Sequence, residues 1–184
     1  MFKFEKKLEY PINITKKDLP MAKYLLTALG GSAGELAAAI RYFTQSFSMT
    51  DDKGKLLLKD IATEELAHVE IISTLFTELT KGATIDELKE YDLACYFTEH
   101  GTGVYPSNAI GLPFRAEYIA STGNPIVDLA EDMAAEEKAR ASYEALIDLC
   151  QNEEVLNPLL FLRQREVVHY NRFKELYEDY KNRL

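Results

Sequence analysis

The sequence predicts an all-α domain: four long helices in a bundle, with one long crossover between the second and the third. Three observations carry this. The 184 residues are rich in Ala, Leu, Glu and Lys and hold nine glycines and six prolines, a composition that favours helix. Apolar residues recur at alternating spacings of three and four in four separate stretches, the mark of amphipathic helices. Between the second and third stretches, glycines and prolines concentrate instead. With 47% apolar and 11% aromatic residues, the chain can bury one core. One domain over 21–184, preceded by an N-terminal arm over 1–20, is expected.

Each element has its own start and stop signals. Asp18-Leu19-Pro20 opens a helical stretch that Gly30-Gly31 interrupts, and Ser32 is placed to cap its continuation to about Phe47. Thr50-Asp51-Asp52 caps the second long helix, which runs to Lys81 and stops at Gly82. Thr84 to Glu90 forms a further short helix. From about Tyr91 to Gly123, Gly101, Gly103, Pro106, Gly111 and Pro113 mix with aromatics, an ordered connection rather than a low-complexity linker. Asn124-Pro125 starts the third long helix, to about Cys150. Asn152-Glu153-Glu154 starts the fourth, with Pro158 in its first turns, where proline is tolerated. A single crossover of about 40 residues between two helix pairs is the ferritin-like topology.

Charge excludes some functions. Thirty acidic residues against 21 basic give a net charge of −9, which disfavours nucleic acid and anionic membranes as partners. No apolar run approaches the roughly 18 residues of a membrane span. Residues 1–10 alternate charges and aromatics and do not read as a signal peptide. Cys95 and Cys150 make neither a disulfide framework nor a zinc site. They read as small core fillers in a reduced, intracellular compartment.

The informative residues interrupt the apolar stripes. The second helix has its stripe at Leu58, Ile61, Ile72, Leu75 and Leu79; the same spacing lands on Glu65 and His68 in the gap. The fourth repeats this with Leu159, Leu162, Glu166, His169, Phe173, Leu176 and Tyr180. Carboxylates in a core need partners. Residues three apart on a helix face the same way, so each Glu-x-x-His pair offers an oxygen and a nitrogen to one point. In the third helix, Glu136 lies on the stripe Leu129, Met133, Arg140, Tyr143 and Ile147, whereas Glu137 shares a solvated face with Glu144 and Asp148. In the first, Glu35 lies among Ala38, Ala39 and Tyr42, and the small alanines leave room for close helix approach or a cavity.

These positions obey a constant offset of 101: Glu35 and Glu136, Tyr42 and Tyr143, Leu58 and Leu159, Glu65 and Glu166, His68 and His169, Leu75 and Leu176. The halves read as a degenerate repeat. Packed about a pseudo-twofold axis, they bring four Glu and two His to one midpoint, the ligand set of a dinuclear carboxylate-bridged site. Such donors suit manganese or iron better than zinc, copper or calcium. The bland alternative is four buried salt bridges, but Arg140, the one obvious buried cation, cannot neutralise four carboxylates.

The segments Gly34-Glu35 through Gln45, Ala62 to Glu70, Ala134-Ala135-Glu136 with Arg140, Glu117 to Gly123 and Arg165 to His169 resemble the manganese catalase family. The run Glu131 to Ala141 is similar to its spore-coat branch, the CotJC-type coat proteins. The resemblance covers about residues 20 to 180. It implies a ferritin-like domain with two manganese ions per subunit, disproportionating hydrogen peroxide to water and dioxygen. It implies Glu35, Glu65, His68, Glu136 and His169 as ligands, with Glu65 bridging. Spacing alone puts Glu166 among the ligands; the resemblance makes it a proton-transfer group beside them, and sets Arg140 near the site holding a carboxylate. Tyr42 and Tyr143 either donate hydrogen bonds to ligand carboxylates or serve as core aromatics. The resemblance also implies a homo-oligomer, hexameric in the family, and a cytoplasmic or spore-coat location with other coat proteins as partners. The sequence stops at Leu184, before the extended C-terminal tail of longer members, a departure that bears on hexamer tightness and channel closure. Two other functions stay open: a structural coat protein with a vestigial metal site, and a di-iron oxidase.

The remaining candidates read more plainly. Glu64, Glu70 and Glu137 are taken as solvated or supporting residues, Glu78 as part of a solvated face, and His100 as a lone loop histidine. Tyr96, Phe97, Tyr105 and Phe114 are expected to cover the bundle or pack against a neighbour, and Phe2 and Phe4 to make subunit or coat contacts.

Overall fold

Caps decide where the helices begin. In the computed structural model, which describes residues 2–3, 5–100 and 103–183 and, for Glu99 and His100, the backbone alone, α1 spans Leu19–Gly30. The Asp18 carboxylate accepts from Met21 N–H, and Pro20 sits where its missing N–H is no loss. Helix α2 spans Glu35–Ser46. Its N-cap is Gly34, without a side-chain cap bond, so the expected Ser32 cap does not form. Glycine is required in this turn: a Cβ on Gly34 would come 2.6 Å from the Ala28 carbonyl oxygen. Gly30 is required too, because the Pro106–Ser107 backbone of the crossover lies directly on it, and a Cβ would sit 2.4 Å from Ser107 N.

Helix α3 spans Asp52–Thr80 and is capped by Asp51, whose carboxylate accepts from Gly54 N–H. Helix α4, Ile85–Glu90, starts with a capping box in which Thr84 and Glu87 satisfy each other's backbone N–H. The crossover holds a helix that the spacing did not predict, α5 (Ala94–His100), and a 3₁₀ turn at Ala116–Ile119. Glycines and prolines around these short pieces hid them. Helix α6 spans Pro125–Leu149, capped by Asn124; α7 spans Glu153–Lys181, capped by Asn152. Among the described residues, no strand forms, and no helix is long and apolar enough to cross a membrane.

Helix α2 packs on α3, α6 on α7, and α1 on α3. The core is divided in two. One cluster, with Leu25, Ile72, Leu75, Leu159 and Leu162, lies toward α1 and the arm. The other, with Tyr42, Leu58, Ile61, Phe173 and Leu176, lies toward the opposite end. The polar gap in the α3 and α7 stripes falls between them, at Glu65, His68, Glu166 and His169. On α6 the buried face takes Asp132, Ala139 and Leu146 rather than the expected Met133, Arg140 and Ile147. From Leu129, Glu136 and Tyr143, which are buried in either case, a step of three or a step of four both satisfy helical geometry. The apolar Met133 and Ile147 favoured the wrong step.

The arm is part of the fold. Tyr10 packs on Phe161 with ring centroids 5.0 Å apart, and Thr15 donates its N–H and hydroxyl to Glu154 at 2.8 Å each. Phe2 donates its N–H to Asp60; Phe4 lies outside the described residues. In the crossover Tyr96 is buried and its hydroxyl donates to Asn108 O at 3.0 Å, while Phe97 stacks on Phe76 at 6.3 Å. The end of the crossover is tied down by Arg41, which donates to the carbonyls of Tyr118 at 2.7 Å and Ile119 at 3.3 Å. Cys150 is half-buried against the core, but Cys95 is exposed, not a core filler; α5 turns it outward.

Candidate metal centre

Six ionisable side chains meet at the centre of the bundle. Glu35 comes from the first turn of α2, Glu65 and His68 from α3, Glu136 from α6, and Glu166 and His169 from α7. None is more than 2% exposed. They form two overlapping clusters, in each of which every residue offers one oxygen or nitrogen and these atoms all lie within 4.8 Å of one another. Glu35, Glu65, His68 and Glu166 make one; Glu65, Glu136, Glu166 and His169 make the other.

Glu65 lies between the two rings. Its Oε2 is 2.8 Å from His68 Nδ1 and its Oε1 is 2.7 Å from His169 Nδ1. His68 Nδ1 also lies 3.4 Å from Glu35 and 4.0 Å from Glu166; His169 Nδ1 lies 3.7 Å from Glu136. The rings stack with centroids 5.7 Å apart. Many of these atoms approach one another without satisfying one another. Glu65 Oε1, both Glu136 oxygens, Glu166 Oε1 and His169 Nδ1 are buried and have no hydrogen-bond partner. Buried polar atoms are rarely left so. Atoms that converge on common points while failing to bond each other fit a pair of cations, and the oxygen and imidazole donors suit manganese or iron.

Protonation tells the same story of excess negative charge. Burial, reinforced by Glu65, raises the Glu35 carboxyl to about 8. Burial and the neighbouring Glu35 push Glu166 well up, and burial with Glu65 raises Glu136. Burial also acts against charge on Glu65 and His68, but is outweighed. The two imidazoles hold Glu65 well below the usual carboxylate range, and Glu65 with Glu35 raises His68 to about 10. Two histidines cannot neutralise four carboxylates, so part of the set stays protonated unless other cations bind.

The two tyrosines are not plain core aromatics. The Tyr143 hydroxyl donates to Glu35, and Tyr42 stands against Glu136. Each half's tyrosine thus meets the carboxylate of the other half. Arg140 does not reach the site. Its guanidinium turns outward and pairs with Glu137 at 2.5 Å and Glu144 at 2.8 Å. It lies on the half-exposed side of α6, which follows from the step of three along the buried face. The buried arginine is Arg41, which spacing did not single out. Glu64, read as solvated or supporting, is the latter: it is 3% exposed, and its Oε1 lies 2.5 Å from Arg165 and 3.2 Å from His169 Nε2. The signal was available, since Arg165 stands one repeat offset from Glu64. Glu137 and Glu70 stay toward solvent as expected.

A bundle of ferritin-like topology with overlapping carboxylate–histidine clusters at its midpoint defines a class: helical proteins with a dimetal-type centre. The family follows from comparison. The family model of manganese containing catalase matches residues 1–183, and the chain belongs to that family. It is 47% identical to protein CotJC of Bacillus subtilis (strain 168) over 178 residues, covering 97% of this chain and 94% of that protein. It is 31% identical to a manganese catalase of Bacillus subtilis, covering 94% of this chain and 68% of that one. The crystal structure of KatB, a manganese catalase from Anabaena, superposes with a TM-score of 0.89 at 32% identity, covering 98% of this chain and 81% of KatB.

Proposed function

We propose that the protein is a dimanganese catalase that disproportionates hydrogen peroxide to water and dioxygen. The observation that carries this is Glu65, whose two oxygens face the Nδ1 atoms of two histidines in a buried set of four carboxylates. Glu35, Glu65 and His68 would hold one ion, and Glu136, Glu65 and His169 the other, with Glu65 bridging. A bound manganese pair supplies the store for two electrons, each ion changing by one unit between Mn(II) and Mn(III). Iron is compatible with the same donors.

The chain's own residues do the rest. The Tyr143 hydroxyl fixes the orientation of Glu35. Tyr42, from the other half, stands beside Glu136. Glu166 is the proton carrier: burial and its carboxylate neighbours raise its carboxyl, so its carboxylate would accept a proton that one peroxide gives up on oxidation, and the resulting carboxyl would return it to the oxygen that another peroxide releases as water. The two apolar clusters on either side keep bulk water from the midpoint.

The similarity to CotJC supports a second setting for the same chemistry, a spore coat with coat proteins as partners. It also supports a rival reading, a structural coat protein in which the centre only stabilises. Dioxygen evolution from peroxide separates them. Manganese-loaded protein should evolve dioxygen and Glu65→Ala should not. Two bound ions per chain with no evolution would reject the catalase and leave the structural coat role or an iron oxidase. Uptake of Fe(II) with oxygen to a stable diferric spectrum marks the last. A homo-oligomer, hexameric by likeness to the family, belongs to the same proposal.

A further inference from the structure

The imidazole edges that face away from the centre are as constrained as those that face it. His68 Nε2 and His169 Nε2 are both buried and have no hydrogen-bond partner of strict geometry. One atom lies near both: Glu64 Oε1, 3.2 Å from His169 Nε2 and 4.0 Å from His68 Nε2. On the His68 side a second carboxylate approaches, Glu9 Oε2 of the N-terminal arm at 3.6 Å. Glu64 is itself fixed, because Arg165 Nε donates to the same oxygen at 2.5 Å.

The repeat explains why there is one such carboxylate and not two. Glu64 and Arg165 occupy equivalent positions, immediately before Glu65 and Glu166, 101 residues apart. At a pseudo-twofold axis, equivalent residues meet. Two glutamates there would repel in a buried place; a glutamate and an arginine attract. The exchange of one charge leaves a single anchored carboxylate, 3.2 Å from Nε2 of one ring and 4.0 Å from Nε2 of the other.

We propose that Glu64, locked by Arg165, is the shared positioning residue of the metal centre. Its carboxylate faces Nε2 of both rings, 3.2 Å from His169 and, together with Glu9, 4.0 and 3.6 Å from His68, and so would keep Nδ1 of each ring turned toward the metals. A carboxylate behind a ligating imidazole fixes its tautomer and raises its basicity, and its removal costs 10–100-fold in metal affinity. The assignment rests on the dimetal reading above and extends it to residues outside the ligand set.

The test is Mn(II) affinity by chelator competition, with the visible spectrum of the Co(II)-substituted protein reporting ligand geometry. Wild-type protein should bind two ions. Glu64→Gln should bind about 10-fold or more weakly with an altered Co(II) spectrum, and Glu9→Gln should lose less. A Glu64→Gln chain with wild-type affinity and spectrum overturns the assignment. Should that chain not fold, Arg165→Met, at a partly exposed position, frees Glu64 from its anchor, and unchanged affinity and spectrum there overturn it equally. A wild-type chain that binds no metal overturns the proposed function and this assignment together; two ions in the wild type beside an unaffected Glu64→Gln overturn this assignment alone.

Discussion

Manganese should stabilise this fold by an amount that follows from the site. Four carboxylates and two imidazoles are held within two overlapping clusters, so on the proposed function two ions would bind the folded chain at sites that the unfolded one lacks. At a free Mn(II) concentration 100 times its dissociation constant, each ion contributes about 2.7 kcal/mol, and two contribute about 5.5 kcal/mol. For a domain of this size, 1 kcal/mol moves the melting temperature by about 2–4 °C, so the rise is roughly 10–20 °C. Thermal unfolding followed by far-ultraviolet circular dichroism, with and without chelator, measures it. Glu65→Ala is the control, because Glu65 belongs to both clusters and its loss should cancel most of the rise. A rise of equal size in Glu65→Ala would mean that manganese stabilises the chain elsewhere, and the assignment of the midpoint as a dimetal centre would fall.

Further outcomes follow from the same structure. Glu166→Gln should keep two ions per chain yet lower dioxygen evolution by about 100-fold or more, the usual contribution of a positioned acid–base group; metal analysis and an oxygen electrode read both. Phe173→Ala empties a fully buried position whose ring packs 4.8 Å from Tyr42, and should cost about 3–5 kcal/mol in urea unfolding. Asp51 caps α3 and also accepts from Tyr180 and Arg183, and with the Gly54 N–H first among them these donors lower its carboxyl to about 2. A depressed carboxyl stabilises the fold above its ordinary value of 3.8 and loses that contribution as pH falls through about 2. Asp51→Ala should therefore cost about 1–2 kcal/mol at pH 5 and progressively less toward pH 2, measured by unfolding titrations across that range.

What the sequence disclosed was whatever periodicity or capping encodes. Asp18, Asp51, Thr84, Asn124 and Asn152 announce five helix starts because a cap acts on its own neighbours. The six central side chains were legible because a charged residue on an apolar stripe is conspicuous. Pattern failed where two registers were equally good. On α6 a step of three rather than four turned Arg140 outward and brought Asp132 in, and no local rule decides between those steps. It failed again where a partner lies far along the chain. Arg41 is buried because the crossover carbonyls of Tyr118 and Ile119 come to it. Small pieces such as α5 sit among turn residues and carry too few positions to show a period.

The same limit applies to Glu65 and Glu166, which the repeat makes equivalent and the fold makes different. Both are the first member of a Glu-x-x-His pair, both are buried, and both belong to both clusters. Spacing gives no reason to separate a bridging ligand from a proton carrier. Position relative to the rings does. Glu65 has a histidine nitrogen within 2.8 Å of each oxygen, and the two imidazoles stabilise its anion against the cost of burial. Glu166 meets His68 Nδ1 at 4.0 Å, and burial beside Glu35 and Glu136 favours its neutral form. An anion shared by two rings is suited to hold two cations, and a carboxyl that keeps its proton is suited to lend it. The departure from symmetry at Glu64 and Arg165 has the same origin: a duplicated half can supply equal residues, but a single axis admits only one occupant of a given charge.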